Sequence, residues 1–179
     1  AGRVPVLGVC LGHQVIVELY GGRIGRAGRI VHGKPDQLSH DGSPLYAGIP
    51  TPFEAGRYHS LAAVGTVPDV LHVTARTPDG EVMGVRHREH AVHGVQFHPE
   101  SVLTPHGRTL IGNFLAIVSR TKRLTAFTAS YQQVNAVVPY ILIAPYYFAG
   151  KIPLGGMTQT ASAFDQVATT MSFFITLYT

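Results

Sequence analysis

The sequence predicts an α/β fold followed by an α-helical hairpin of the type that crosses membranes. A short apolar run, Val4–Val9, leads directly into a segment with helical spacing, which is the order of a strand–helix unit. A second apolar run, Ala91–Phe97, predicts another buried strand. Further on, Leu124–Gly150 has 27 residues without a charge, which as a helix is long enough to cross a bilayer core.

The first strand–helix unit has clear boundaries. Val4–Val9 is apolar and partly β-branched, as buried strands are. Gly12–Tyr20 has helical spacing, and Gly21 and Gly22 are predicted to end that helix. Two further strands, Leu71–Ala75 and Val82–Arg86, are predicted on either side of a turn.

The distribution of charge divides the chain near Leu115–Ser119. Nineteen charged residues lie in residues 1–115 and five in residues 116–179, which also hold 10 of the 16 aromatic residues. We therefore expect two domains, 1–115 and 116–179, of different origin. The chain starts without Met and stops inside an apolar stretch, so we also expect a piece of longer proteins.

The composition excludes several classes of protein. A single cysteine excludes a disulfide framework and a zinc site built from several cysteines. Charged residues are 13% and hydrophobic residues 45%, which excludes a disordered polar chain. The net charge of +4 is too small to argue for nucleic-acid binding.

Gly8–Gly12 has the form G-x-C-x-G at the predicted strand-to-helix turn, the pattern of a nucleophile elbow. Small residues flank the nucleophile because the turn is sharp. The head of the helix favours the Cys10 thiolate, and the N–H of Leu11 is free to face an oxyanion. The alternative is a buried core cysteine in front of a glycine-capped helix.

A cysteine nucleophile needs a base and a group that orients the base. His98 and Glu100 follow the predicted strand Ala91–Phe97. Because residues two apart on an extended chain face the same side, both can point at one site. The alternative is a surface loop with an ion pair, but three such residues at two strand ends favour catalysis.

These motifs resemble those of class I glutamine amidotransferases. Gly8–Gln14 and Gly94–Ser101 are similar to the two family signatures, and His40–Gly42 and Arg57–Leu61 match between them. The resemblance runs from Val4 to Leu115 and is greatest to the glutaminase subunits of anthranilate synthase and aminodeoxychorismate synthase. It implies a truncated class I amidotransferase sheet with flanking helices.

The resemblance also implies roles for the individual residues. Cys10 would attack the side-chain amide of glutamine to form a glutamyl thioester, with His98 as base and then acid. Glu100 would hold the tautomer of His98. The N–H of Leu11 would be one oxyanion donor. The group expected to hold glutamine is Gln14 with the backbone of Ser60 and Leu61.

No cofactor and no metal are implied, and ammonia would pass to a separate chorismate-using synthase subunit in the cytoplasm. The motifs serve anthranilate and aminodeoxychorismate synthesis equally. The family has a further N-terminal stretch, about a third of the domain, that supplies a central strand and another oxyanion donor.

Two weaker patterns have ordinary explanations. Gly22–Arg29 could be a phosphate or nucleic-acid loop, but it does not precede a helix, so a solvated strand and turn is favoured. The histidines of the predicted strand region suggest zinc, but no regular element brings them to one face. Those histidines are His87, His90, His93 and His98.

The tail is predicted to associate with the inner membrane. Arg120, Lys122 and Arg123 precede the uncharged stretch and would remain in the cytoplasm, while Tyr146–Phe148 would form the opposite aromatic belt. A second span would begin at Thr160. The alternative is a buried pair of soluble helices, but no polar face is present.

The tail resembles the membrane domain of BacA-like half-size ABC transporters, without any nucleotide-binding motif. The resemblance is carried by Arg123–Thr125, Pro139, Ala144–Pro145, Phe148–Gly156 and Gln159–Phe164. Three hypotheses remain: a glutaminase subunit, a transporter fragment, or an inactive chimeric product of two joined genes.

Overall fold

The computed structural model describes residues 4–177, and these form a six-stranded sheet followed by two long helices. The predicted α/β arrangement and the helical tail are confirmed. The first strand and the first helix are close to the predicted ranges. In chain order the elements are β1 (Val6–Val9), α1 (Leu11–Leu19), β2 (Arg23–His40), β3 (Phe53–Val64), β4 (Leu71–Arg76), β5 (Val82–His87), β6 (Val92–Val95), α2 (Gly107–Phe148) and α3 (Leu154–Leu177).

The strand order of the sheet is β1-β6-β5-β4-β2-β3. β1 and β6 are parallel, with Val9 opposite Val95, and the other pairs are antiparallel. Val9 and Val95 are 86 positions apart in sequence. Because β1 and β6 are parallel, the segments that follow the two strands lie at the same end of the sheet. That end is where the functional side chains are predicted.

Two apolar clusters hold the sheet to its helices. Ile16 and Val17 of α1 pack with buried valines and Leu71 of the sheet. Leu110, near the start of α2, belongs to a second cluster with Phe53 and Phe97. Because burial of a large apolar side chain contributes about 1.5–3 kcal/mol, these two clusters hold α1 and the first turns of α2 firmly against the sheet.

The chain divides into two compact units, one ending at Thr121 and the other starting at Lys122. α2 is continuous through this point and through the predicted domain boundary, and it contains both Pro139 and Pro145. Over residues 4–177, neither α2 nor α3 is long and apolar enough to cross a membrane. α3 begins at Leu154 rather than at Thr160, where the second span was expected to begin, and the last residues of that expected span lie outside the described residues.

The start of α2 approaches the loop after β6 so closely that only glycine fits. A Cβ atom on Gly107 would overlap the carbonyl oxygen of Pro99, whereas a Cβ on Gly112 would meet nothing within 4 Å. We expect Gly107→Ala to lower the free energy of unfolding by about 1–3 kcal/mol, because the backbone of Pro99 must move.

The matched variant on the same helix is Gly112→Ala. Alanine is the better helix former, so this change is expected to raise the free energy of unfolding by about 0.5–1 kcal/mol. Urea unfolding followed by circular dichroism measures both. Equal effects of the two substitutions would contradict the close approach of Gly107 to Pro99.

Candidate active site

Cys10 lies in the turn between β1 and α1 with a strained backbone. Its φ is 50° and its ψ is −100°, and it is the only non-glycine residue with positive φ in the described part of the chain. Its N–H donates to the carbonyl of Val95 at 2.8 Å, which ties the turn to β6. A Cβ on Gly8 would lie 2.6 Å from the backbone of Gly12, so this sharp turn needs glycine. This is the geometry of a nucleophile elbow.

His98 and Glu100 are brought together three and five residues after the end of β6. Nδ1 of His98 lies 2.6 Å from Oε1 of Glu100. Since an ionised carboxylate only accepts, Nδ1 carries the proton in this pair, and in the neutral imidazole the lone pair is then on Nε2. Nε2 is buried and has no hydrogen-bond partner. The imidazole is therefore in the tautomer that a general base needs.

The backbone and ring of His98 are held by neighbouring segments. Its N–H donates to the carbonyl of Gly56 at 3.1 Å, and its carbonyl accepts from Oγ1 of Thr104 at 2.7 Å. Tyr58 packs its ring edge-to-face against the imidazole at 5.1 Å and bonds Ser101 at 2.9 Å. These contacts fix the base from the side of β3.

The hydrogen bond expected between Cys10 and His98 is not formed. Within the described residues, the side-chain hydrogen-bond partner of the Cys10 sulfur is Nε2 of Gln96, at 3.7 Å. His98 makes no hydrogen bond to the sulfur. Catalytic hydrogen bonds often form only when substrate is bound, so the open contact is compatible with a dyad.

Burial and charge set the ionisation of the site. Burial raises the pKa of the Cys10 thiol, and the negative charge of Glu100 raises it further, against the opposing effects of the Leu11 N–H and Gln96. Burial also works to raise the pKa of Glu100, but the hydrogen bond from His98, a backbone hydrogen bond and the charge interaction with His98 together outweigh it and lower that pKa overall. A thiol with a raised pKa needs a base, and an ionised Glu100 keeps His98 ready to act as one.

Two of the residues predicted to hold glutamine, Gln14 and Leu61, are linked to Cys10 through Gln96. Nε2 of Gln14 donates to the carbonyl of Leu61 at 2.9 Å and to Oε1 of Gln96 at 3.2 Å. Ser60 precedes Leu61 on β3 and is exposed. Gln96 was not among the predicted site residues, although it lies within the signature Gly94–Ser101, two positions before His98.

His13 is a fully buried histidine beside the active-site turn. Neither ring nitrogen has a hydrogen-bond partner, and burial lowers its pKa to about 4. Below about pH 6.5 the unfolded chain takes up a proton at His13 that the folded chain cannot, so stability falls as the pH falls from 6.5 towards 4.

We expect the wild type to lose about 2 kcal/mol at His13 between pH 7.5 and 5, on the basis of 1.36 kcal/mol per pH unit. His13→Leu should remove this part of the pH dependence, as urea unfolding at the two pH values would measure. Burial also lowers the pKa of His93, which adds a pH dependence of its own to both proteins. The contribution of His13 is therefore the difference in pH dependence between the wild type and His13→Leu. An unchanged pH dependence in His13→Leu would contradict the assignment.

The weaker patterns have ordinary structural positions. His87 and His90 stack on each other at 4.4 Å, and His93 faces the ring of Phe114. Across residues 4–177 there is no cluster of three or more His, Cys, Asp or Glu side chains that could hold a metal. Gly22–Arg29 is mostly part of β2, which pairs with β3.

Comparison with known proteins confirms both resemblances. The model of the class I glutamine amidotransferase family matches residues 1–118, and that of the SbmA/BacA-like family matches residues 112–179. Anthranilate synthase component 2 of Methanothermobacter marburgensis is 54% identical over 112 residues, which are 62% of this chain and 57% of that protein. Aminodeoxychorismate/anthranilate synthase component 2 of Bacillus subtilis is 46% identical over 116 residues, 64% of this chain and 60% of that one.

The bifunctional protein TrpGD of Thermotoga maritima is 52% identical over 118 residues, 65% of this chain and 20% of its own length. The chain thus spans less than two thirds of each of these relatives. A solved structure from Thermoplasma acidophilum, described as one subunit of a GMP synthase, has a TM-score of 0.65 at 24% identity over 68% of this chain and 61% of its own, which shows the fold. With the family model covering residues 1–118 and the sheet confirmed, the chain belongs to the class I glutamine amidotransferase family.

Proposed function

We propose that residues 4–115 carry a glutaminase site that supplies ammonia to a chorismate-using synthase subunit. The observation that supports this most strongly is that Cys10 and the His98–Glu100 pair lie at the same end of the parallel strands β1 and β6. A thiol on a strained turn, at the same strand ends as a His–Glu pair, fits attack on an amide.

The reaction would proceed by a thioester. Nε2 of His98 takes the proton of the Cys10 thiol as the sulfur attacks the side-chain carbonyl carbon of glutamine. The N–H of Leu11, the first of α1, would donate to the oxyanion that forms. His98 then gives its proton to the leaving nitrogen, which departs as ammonia, and water hydrolyses the glutamyl thioester with His98 again as base. Glu100 keeps the imidazole in the required tautomer.

Substrate and partner follow from the relatives. Gln14 and the backbone of Ser60 and Leu61 would hold the glutamine. The relatives from Methanothermobacter and Bacillus are named as synthase components, and their names support a chorismate-using synthase as the acceptor of ammonia. The reaction needs no cofactor or metal, because the thiol, imidazole and carboxylate supply its proton transfers.

A covalent label tests the proposed function. The chain is incubated with a glutamine analogue in which a diazoketone replaces the amide, and the adduct is located by mass spectrometry. We expect one adduct on Cys10, protection by glutamine, and no adduct in Cys10→Ser. Because Cys10 is the only cysteine, a label on another residue or a lack of protection by glutamine would refute the glutaminase site.

We propose separately that residues 116–179 form a domain of membrane type, joined to the enzyme domain 1–115 as a chimeric product and associated with the inner membrane. Two observations support this: the SbmA/BacA-like match begins at residue 112, and large apolar side chains of α2 are exposed, including Phe127, Ile141 and Phe148. Such side chains gain about 25 cal/mol per Å² on leaving water.

Flotation with phospholipid vesicles tests the tail. The full chain is expected to float with the vesicles, and Ile141→Asp with Leu142→Asp should reduce the bound fraction severalfold. The matched control places the same two charges at exposed polar positions, Gln132→Asp with Gln133→Asp. Equal flotation of both variants, or none by the wild type, would exclude a membrane role. Sequencing of genomic DNA across codons 110–125 tests whether the junction is encoded.

A further inference from the structure

Two side-chain amides and one backbone carbonyl form a continuous hydrogen-bonded chain that ends on the nucleophile. Nε2 of Gln14 donates to the carbonyl of Leu61 and to Oε1 of Gln96, and Nε2 of Gln96 donates to the sulfur of Cys10. Gln96 has 0% of its surface exposed and Gln14 has 7%. A buried amide in this position is expensive unless each of its groups is used.

The direction of this chain is fixed at its far end. The carbonyl of Leu61 can only accept, so the atom of Gln14 that faces it must be the amide nitrogen. The same nitrogen faces Gln96, which must therefore present its oxygen there. The NH₂ group of Gln96 is left to face the sulfur, and the amide cannot be turned round without opposing two donors.

The site needs a donor at the sulfur. Cys10 is partly buried, and the charge of Glu100 opposes formation of a thiolate. The Leu11 N–H also acts on the sulfur, but in the proposed reaction it is taken up by the oxyanion. Gln96 is the side chain that donates to the sulfur in the site without substrate.

We propose that Gln96 is a catalytic residue that holds and stabilises the Cys10 sulfur and connects it, through Gln14, to the Leu61 segment. The inference rests on the proposed role of Cys10 as nucleophile and goes beyond it by adding a fourth group. It explains why the sulfur is oriented towards β6 and Gln96 before substrate is bound.

Alkylation of the thiol tests the proposal without any assay of turnover. The rate of reaction of the full chain with iodoacetamide is measured from pH 6 to 10, and Cys10 is the only cysteine that can react. Gln96→Glu keeps an oxygen for Gln14 but replaces the donor by a negative charge. We expect its alkylation to be about tenfold slower at pH 7.5, with the midpoint of the pH profile about one unit higher.

Gln96→Leu removes the donor without adding charge, and we expect a loss of about threefold to tenfold in the same assay. The ionisable side chains of the proposed site, His98 and Glu100, are unchanged in both variants. The matched control is Gln133→Glu, the same chemical change on an exposed residue of α2, which should react as the wild type. Circular dichroism identifies a variant that has unfolded, in which the thiol would react faster rather than slower.

Rates of folded Gln96→Glu within twofold of the wild type would overturn the proposal. So would an increase in rate, because the added charge would then not face the sulfur. The diazoketone analogue separates this failure from that of the proposed function. If the analogue labels the wild type and alkylation is insensitive to Gln96, only the role of Gln96 is wrong. If the analogue does not label and alkylation depends on Gln96, the contact is real and the glutaminase assignment is wrong.

Discussion

Replacing His98 by alanine is expected to lower the rate of glutamine hydrolysis by roughly 10³-fold or more. Nε2 of His98 is the nitrogen proposed to take the thiol proton, and its loss leaves the partly buried thiol, whose pKa is raised, without a base. General acid–base catalysis contributes typically about 10²–10⁴-fold, and here one imidazole serves both steps. Glutamate release is measured with the chain and a chorismate-using synthase subunit, the proposed partner.

The matched control is His90→Ala. His90 precedes the start of β6, whereas His98 follows its end, so His90 is at the opposite end of the same strand. It should retain activity within about twofold. Glu100→Gln should cost less than His98→Ala, because Glu100 is more than half exposed and acts only through the imidazole. Retention of full activity by His98→Ala would show that another group removes the thiol proton.

The local parts of this fold can be predicted because they depend on neighbours in sequence. Gly8–Gly12 predicts the turn at Cys10, since only small residues permit the approach of Gly8 to Gly12. The spacing of His98 and Glu100 predicts their pairing, because both stand on the same short segment. In each case the deciding contacts span five residues or fewer.

Other features depend on pairing across the chain and cannot be derived from local pattern. β2 runs over 18 residues through Gly33 and Pro35, because β3 pairs with it along most of that length. The mainly antiparallel sheet follows from the same long-range pairing. The sulfur of Cys10 accepts a hydrogen bond from Gln96 and not from His98, and this depends on where three separate segments of the chain meet.

The composition of the chain predicts a boundary that falls inside a continuous helix. Charge and aromatic content change near Leu115–Ser119, but α2 passes through this region without a break. Helical hydrogen bonds depend on the backbone and are formed by polar and apolar residues alike. The assignment of 1–115 and 116–179 to two domains therefore stays a proposal, supported by the two family matches that meet between residues 112 and 118.

A buried ion cluster also escaped prediction, since Arg57 was noted only as part of a matching motif. Its guanidinium has 0% exposure and contacts Asp36 at 2.8 Å and Glu81 at 2.5 Å. His59 reaches the same Glu81 oxygen at 2.9 Å, and Arg29 also pairs with Asp36. Because Arg57 and His59 stand on β3 just before Ser60 and Leu61, this cluster anchors the strand that carries the proposed glutamine-binding backbone.

Acidification should weaken this cluster. Burial works to raise the pKa of Asp36, but the hydrogen bonds from Arg57 and Arg29 outweigh it and lower that pKa overall. A carboxyl group whose pKa is lower in the folded state stabilises the fold above its unfolded pKa, and this contribution is lost as the pH falls through the folded value. Arg57 is the fully buried partner of Asp36, so removing it should change this pH dependence of stability more than removing Arg29 would.

Arg57→Met is expected to lower the free energy of unfolding by about 3–5 kcal/mol, the cost of leaving buried charges without their partner. Methionine fills a similar volume, so the loss comes from the carboxylates of Asp36 and Glu81, whose side chains are only 14% and 9% exposed. Urea unfolding followed by near-ultraviolet circular dichroism of the tyrosines measures it, with Arg26→Met on the exposed part of β2 as control. Adding Asp36→Asn and Glu81→Gln to Arg57→Met should restore much of the loss, because the stranded charges are then gone. A loss below about 1 kcal/mol in Arg57→Met alone would mean that the carboxylates find other partners, and that Arg57 does not anchor the strand before Leu61.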